Sequence, residues 1–155
     1  MKAHYIFQAP NQHDVLIDLE ANRLAIVDGQ EKMVFDTADS QYPTFVNAES
    51  GERVIELSGM ATDQRSDRSW AIAEFEQDGY TPRHFHQARE EWYYFVSGQG
   101  KVTVDGVEKI YHPGEFLNIN RGQKHQVLSI DPTVALKMIV KCAPAWIFSD
   151  QHSAP

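Results

Sequence analysis

The segment His84-Phe85-His86, followed after four intervening residues by Glu91 and then by the apolar run Trp92-Tyr93-Tyr94-Phe95-Val96 and Ser97-Gly98, leaves the backbone few options. On an extended strand, residues two apart share a face, so His84 and His86 can aim both imidazoles into one space while Phe85 turns away. The four intervening residues let the chain turn back. Glu91 is then expected to open a second strand, antiparallel to the first, that returns its carboxylate to the imidazole pair. His125 follows the glycine-bearing turn Asn120-Arg121-Gly122-Gln123 and heads a later strand expected over residues 124–130. The pattern predicts a three-histidine, one-carboxylate site built on β-strands.

The surrounding sequence supports strands. From residue 69 onward, short apolar segments alternate with turn residues at close intervals, as in an all-β sandwich or barrel. Residues 69–77 read as one strand ended by Asp78-Gly79. Residues 101–104 and 107–111 read as a hairpin, because Asp105-Gly106 readily supplies the positive φ angles of a type I′ turn. Further strands are expected over 116–119, 124–130 and 133–142. In the first part of the chain, 15–19, 24–27, 33–35 and 54–57 look like strands, with Asp28-Gly29 and Ser50-Gly51 as turns. The polar stretch 62–68 is the expected linker into the second region.

These residues resemble the two cupin motifs. Gly79, His84, His86, Glu91 and Gly98 fit the first, with one residue fewer than usual between Gly79 and His84. Gly106, Gly122, Gln123, Lys124 and His125 fit the second, with Asn120 in place of its proline and Ser129 in place of its asparagine. The resemblance spans residues 68–142, and an ordered pair of motifs is far more specific than a lone His-x-His. It implies an all-β double-stranded β-helix, a jelly-roll barrel over 68–155 with a C-terminal tail. Residues 1–67 would form an N-terminal β extension packing on the barrel or on a partner subunit. No second His-x-His precedes residue 84, so a single cupin unit is expected, and cupins commonly form homodimers by sheet extension.

Composition narrows the function classes. The formal net charge of -8 and the lack of any lysine or arginine run argue against nucleic acid as a partner. Cys142 is the single cysteine, which excludes an intramolecular disulfide and a cysteine-based zinc site and fits a reducing, cytoplasmic setting. No apolar run approaches the ~20 residues that span a bilayer, so no membrane segment is expected.

Three buried imidazoles and a carboxylate with nothing between them would leave polar groups unsatisfied at a cost of about 1–3 kcal/mol each, which a divalent cation removes. His84, His86, Glu91 and His125 are therefore the expected ligands of a divalent transition metal, Fe, Mn, Ni or Zn. A six-coordinate ion would keep two positions open for water, dioxygen or a small-molecule ligand. Glu91 is preferred over Glu90, which falls on the opposite strand face. On the Glu91 strand, Tyr93 and Phe95 point inward, Phe95 as core and Tyr93 as a candidate pocket residue, while Trp92, Tyr94 and Val96 point outward. Glu91 and Tyr93 are the candidate catalytic residues. His112 and His152 are expected in solvent, as are the cations Arg83, Arg121 and Lys124.

The resemblance implies a metal-binding protein acting on a small oxygenated or anionic molecule, with a dioxygenase as the leading reaction. One alternative is a sugar or sugar-phosphate isomerase, since the tail Cys142-Ala143-Pro144-Ala145-Trp146 looks like that of small cupins grouped with mannose-6-phosphate isomerases. The other is a ligand-binding cupin without turnover.

Overall fold

The computed structural model describes residues 2–9, 12–39 and 41–155; Met1, Pro10, Asn11 and Ser40 lie outside the described residues. The chain forms two compact units, residues 1–42 and 43–155. The first is a four-stranded antiparallel meander of β1 (Ala3–Phe7), β2 (Val15–Glu20), β3 (Arg23–Asp28) and β4 (Glu31–Asp36), hydrogen-bonded in chain order. Gly29, with φ at 64°, makes the tight turn between β3 and β4 that a side chain would strain. The strands expected at 15–19, 24–27 and 33–35 lie here, and β1 is an additional one.

The second unit is a jelly roll of two facing sheets. Its strands are β5 (Thr44–Asn47), β6 (Glu52–Ser58), β7 (Ser69–Phe75), β8 (His84–Phe85), β9 (Glu90–Ser97), β10 (Gly100–Val104), β11 (Val107–Tyr111), β12 (Phe116–Ile119), β13 (His125–Ser129), β14 (Lys137–Ala143) and β15 (His152–Ser153). One sheet has the order β12-β9-β14-β7-β6-β5 and the other β11-β10-β13-β8-β15. The sheets face each other without closing into a continuous hydrogen-bonded cylinder. A short 3-10 helix, Phe148–Asp150, is the sole helical element among the described residues.

Two expectations change. β6 pairs with β7 from Glu52↔Phe75 to Ser58↔Trp70, so the expected division at 67/68 runs between paired strands of one sheet. The polar residues after β6 form a turn rather than a linker: Asp63 accepts hydrogen bonds from Ser58 Oγ at 2.7 Å and from the Gly59 amide at 2.8 Å. More consequentially, β8 does not pair with β9. It pairs with β13 through His125↔His84 and with β15, whereas β9 lies in the other sheet between β12 and β14. The segment between β8 and β9 thus crosses from sheet to sheet, and Glu91 meets the histidines across the sandwich.

The Asp105-Gly106 hairpin forms as expected, with φ values of 47° and 84°. Alternation along β9 sends Tyr93 and Phe95 into a core shared with Phe75, Val102, Val127, Leu136 and Met138. Its other face stacks Tyr94 between Trp70 and Phe116, with ring centroids 6.1 and 6.2 Å away. Phe95 is fully buried and stacks on Tyr111 at 4.9 Å.

Candidate metal centre

His84, His86, Glu91 and His125 are all buried, and each offers a ligand atom such that all four atoms lie within 4.8 Å of one another. Four local features produce this. β8 carries His84, and His86 lies just past its end with its ring centroid 5.1 Å from that of His84. β9 begins at Glu90, so its first inward position is Glu91. The turn before β13 ends at Gln123-Lys124, making His125 the first residue of that strand. Gly122, at φ 79°, lets this turn close, and its amide donates to the His86 carbonyl at 2.8 Å.

The three imidazoles are oriented alike. His84 Nδ1 donates to the Pro82 carbonyl at 2.8 Å, His86 Nδ1 to the Asp150 carbonyl at 3.1 Å, and His125 Nδ1 to the Gln123 carbonyl at 2.9 Å. With the proton held at Nδ1, each Nε2 turns a lone pair inward, which is the tautomer a metal requires. Glu91 Oε1 lies 3.0 Å from both His86 Nε2 and His125 Nε2. Despite that proximity, His86 Nε2 is a buried atom with no well-directed hydrogen bond. Three imidazole nitrogens and a carboxylate converge with His86 Nε2 left unpartnered, and this set of ligand atoms fits a divalent cation.

Protonation follows the same geometry. Burial, reinforced by the neighbouring His125, pushes His84 down to about 4, so it is neutral near pH 7. Burial also works against a charged His86, but Glu91 and the Asp150 carbonyl outweigh it and raise its pKa. Burial would raise Glu91, yet its contacts with His125 and His86 hold the carboxyl below the usual range.

Tyr93 donates to Glu91 Oε1 at 3.3 Å, and burial together with the Glu91 charge raises its pKa well above the ordinary value. It therefore stays a neutral phenol beside the four donors. Glu90 turns away and accepts from Asn118 Nδ2 at 3.5 Å. His112 is exposed and bonded to Glu115. Arg121 and Lys124 are exposed, and Arg83 is exposed with Nη1 3.1 Å from the Pro155 carbonyl. His152 departs from the expectation of a solvated tail: it is half-buried in β15, stacks on Phe85 at 5.1 Å and lies 3.3 Å from Asp150 Oδ1.

Sequence reasoning missed the residue that ties this region together. Asp150 is buried, and its carboxylate accepts from the Gln87 and Ala88 amides, each at 3.1 Å, and from Arg89 Nη1 at 2.9 Å. Arg89 Nε donates in turn to the Ala145 carbonyl at 2.7 Å. The loop carrying His86 is thus fastened to a segment 64 residues later, and nothing in the local pattern signals it. Glu52 was also passed over. It lines the cavity beside the four donors, and burial, with the Glu91 charge as second cause, raises its carboxyl to about 7.

The cavity has a volume of about 260 Å³. His84, His86, Glu91 and Tyr93 line it in the interior, Val54, Ala73, Met138 and Val140 form apolar walls, and Phe45, Trp146 and Phe148 stand where it meets solvent.

Residues 71–141 match the family model described as Cupin domain. The chain therefore carries a cupin domain, with the jelly-roll architecture of the cupins. Among solved structures it is similar to Streptomyces PAC13 with uridine, at 14% identity and a TM-score of 0.62, covering 74% of this chain and 86% of that one. It is likewise similar to KdgF from Halomonas sp., at 16% identity and a TM-score of 0.57, covering 68% and 89%. Oxalate decarboxylase from Bacillus subtilis aligns at 14% identity and a TM-score of 0.60, covering 74% of this chain and 30% of that one. Identities this low establish shared fold only. No curated protein sequence matches the chain.

Proposed function

We propose that this chain is a metal-dependent cupin enzyme acting on a small oxygenated or anionic molecule, with dioxygenase chemistry as the leading reaction. His84, His86, Glu91 and His125 hold the divalent transition ion, whether Fe, Mn, Ni or Zn. The observation that carries this reading is the convergence of three buried imidazoles, each with its Nδ1 bonded to a backbone carbonyl, and one carboxylate, with His86 Nε2 left without a hydrogen-bond partner. A bound ion supplies Lewis-acid polarisation of a coordinated oxygen and a template for orientation. The chain's own residues do the rest: Glu91 sets the charge of the centre and accepts a proton when freed, Tyr93 supplies a neutral hydroxyl beside it, and the apolar walls exclude water.

The cavity lining favours this over the sugar-phosphate alternative. It includes no lysine or arginine, whereas a phosphate calls for basic side chains or a nest of amides. A ligand-binding protein without turnover would share the same donor set and differ by returning its ligand unchanged. The cupin resemblance also motivates a homodimer, for which exposed edge strands such as β11, with Val107 71% exposed, offer a surface.

The test is elemental analysis of protein purified without chelators, followed by oxygen-uptake assays across small oxygenated acids. Near-stoichiometric transition metal that disappears in Glu91→Ala and His125→Ala supports the centre, and Fe(II)-dependent oxygen consumption supports the reaction. Ion content unaffected by both substitutions overturns the proposal. Mass in solution checks the dimer.

A further inference from the structure

The cavity combines three features that together define what fits inside it. Part of its lining is His84, His86 and Glu91 of the four-residue cluster, with Tyr93 beside them. Its walls, Val54, Ala73, Met138 and Val140, are apolar. Its opening is a collar of rings: Phe45 and Trp146 lie 5.7 Å apart and tilted by 53°, and Trp146 and Phe148 lie 6.3 Å apart at 77°. Rings set edge to face leave faces uncovered, and Phe148 is 78% exposed and Phe45 44% exposed. Large apolar side chains at an opening are costly to keep wet unless something covers them.

Charge sharpens the selection. Three neutral imidazoles and one carboxylate leave a divalent ion with a single net positive charge, enough to balance one anionic oxygen. Glu52 and Glu56 also line the cavity, and no lysine or arginine does. Glu56 is already engaged by the Ala61 amide at 3.0 Å and by Thr62 Oγ1 at 2.7 Å. A second negative charge on the ligand would be buried near these carboxyls with no counter-charge, at a cost of several kcal/mol. Volume sets a further limit, because 260 Å³ lies just below the ~300–1,000 Å³ of ordinary ligand pockets. That space accommodates a single substituted ring.

We propose that the site takes a single-ring aromatic compound bearing an uncharged or singly anionic oxygen-donor group, with the donor at the four-residue centre and the ring held by the Phe45–Trp146–Phe148 collar. The inference rests on the metal reading above for the donor end. It stands on the collar alone for the ring end.

Four probes separate the two ends by titration calorimetry on the metal-loaded protein: 2-hydroxybenzoate, acetate (a head without a ring), phenyl phosphate (a ring with a dianionic head) and phenol (a ring without an acid). The expected order places 2-hydroxybenzoate at least ~10-fold tighter than acetate and phenyl phosphate. Phe148→Ala, at an exposed position, should weaken 2-hydroxybenzoate and phenol about 3–10-fold while leaving acetate and ion content unchanged, the size expected of one aromatic contact. Acetate binding as tightly as 2-hydroxybenzoate, phenyl phosphate binding tightest, or no response to Phe148→Ala overturns the inference while the metal reading stands. If the protein holds no ion, the metal reading fails. Phenol binding that responds to Phe148→Ala in that same protein supports the ring end, and its absence overturns it.

Discussion

The two ends of the jelly-roll interior are built by the same strands and solved in opposite ways. β9 sends Glu91 to one end and Phe95 to the other, and β13 sends His125 to one and Val127 to the other. At the apolar end, inward positions satisfy one another by contact, with Phe95 stacked on Tyr111 and packed beside Leu136 and Met138. At the polar end, four acceptors face one another and side-chain packing offers no remedy. Identical strand alternation thus specifies which residues point inward, while their chemistry decides whether the fold closes by itself or calls for an ion. The apolar end gives stability, and the polar end trades it for a binding site.

That contrast can be broken by experiment. Phe95→Ala should cost about 3–5 kcal/mol of folding free energy, with or without added metal, measured by chemical denaturation. His125→Ala should instead abolish tight metal retention while the apo protein loses far less stability than Phe95→Ala does; equal destabilisation by both substitutions would erase the distinction between the ends. Asp150→Ala should weaken metal affinity about 10–100-fold, since it loosens the segment whose carbonyl orients His86, and a competition titration against a chelator reads it. Metal affinity unchanged in Asp150→Ala would show that the centre organises without this support.

The smallest effect concerns pH. Glu52 is raised by burial, and secondarily by Glu91, from an ordinary value near 4.5 to about 7. Between those values the folded metal-free protein holds a proton that the unfolded chain has lost, so stability falls as pH rises through this window. Glu52→Gln should flatten that fall, leaving the variant more stable than the parent above pH ~7 and equal to it below ~4.5. Thermal denaturation in chelator at several pH values checks the sign, and parallel profiles for the two proteins would remove Glu52 from the cavity's charge balance.

Much of the centre was legible because strand periodicity is local. His84 and His86 two apart, Glu91 opening an apolar run and His125 after a glycine turn each place one side chain on a predictable face. Periodicity gives a face, however, and no partner. It led to β8 paired with β9, whereas β8 pairs with β13 and the carboxylate arrives from the opposite sheet. β5 is exposed along its whole length and β15 has two residues, so neither carries an alternation to register. The polar stretch after β6 read as a linker because turn-capping residues and linker residues have the same composition. Asp150 and Arg89 were invisible for a different reason. Apart from each other, their partners are backbone groups dozens of residues away, and backbone groups have no sequence signature.

The hydrogen bond from His86 to a carbonyl 64 residues downstream also has an entropic consequence. Closing a chain segment of that length costs conformational freedom that one hydrogen bond does not offset, so the ring is fixed only in a chain whose intervening strands are already ordered.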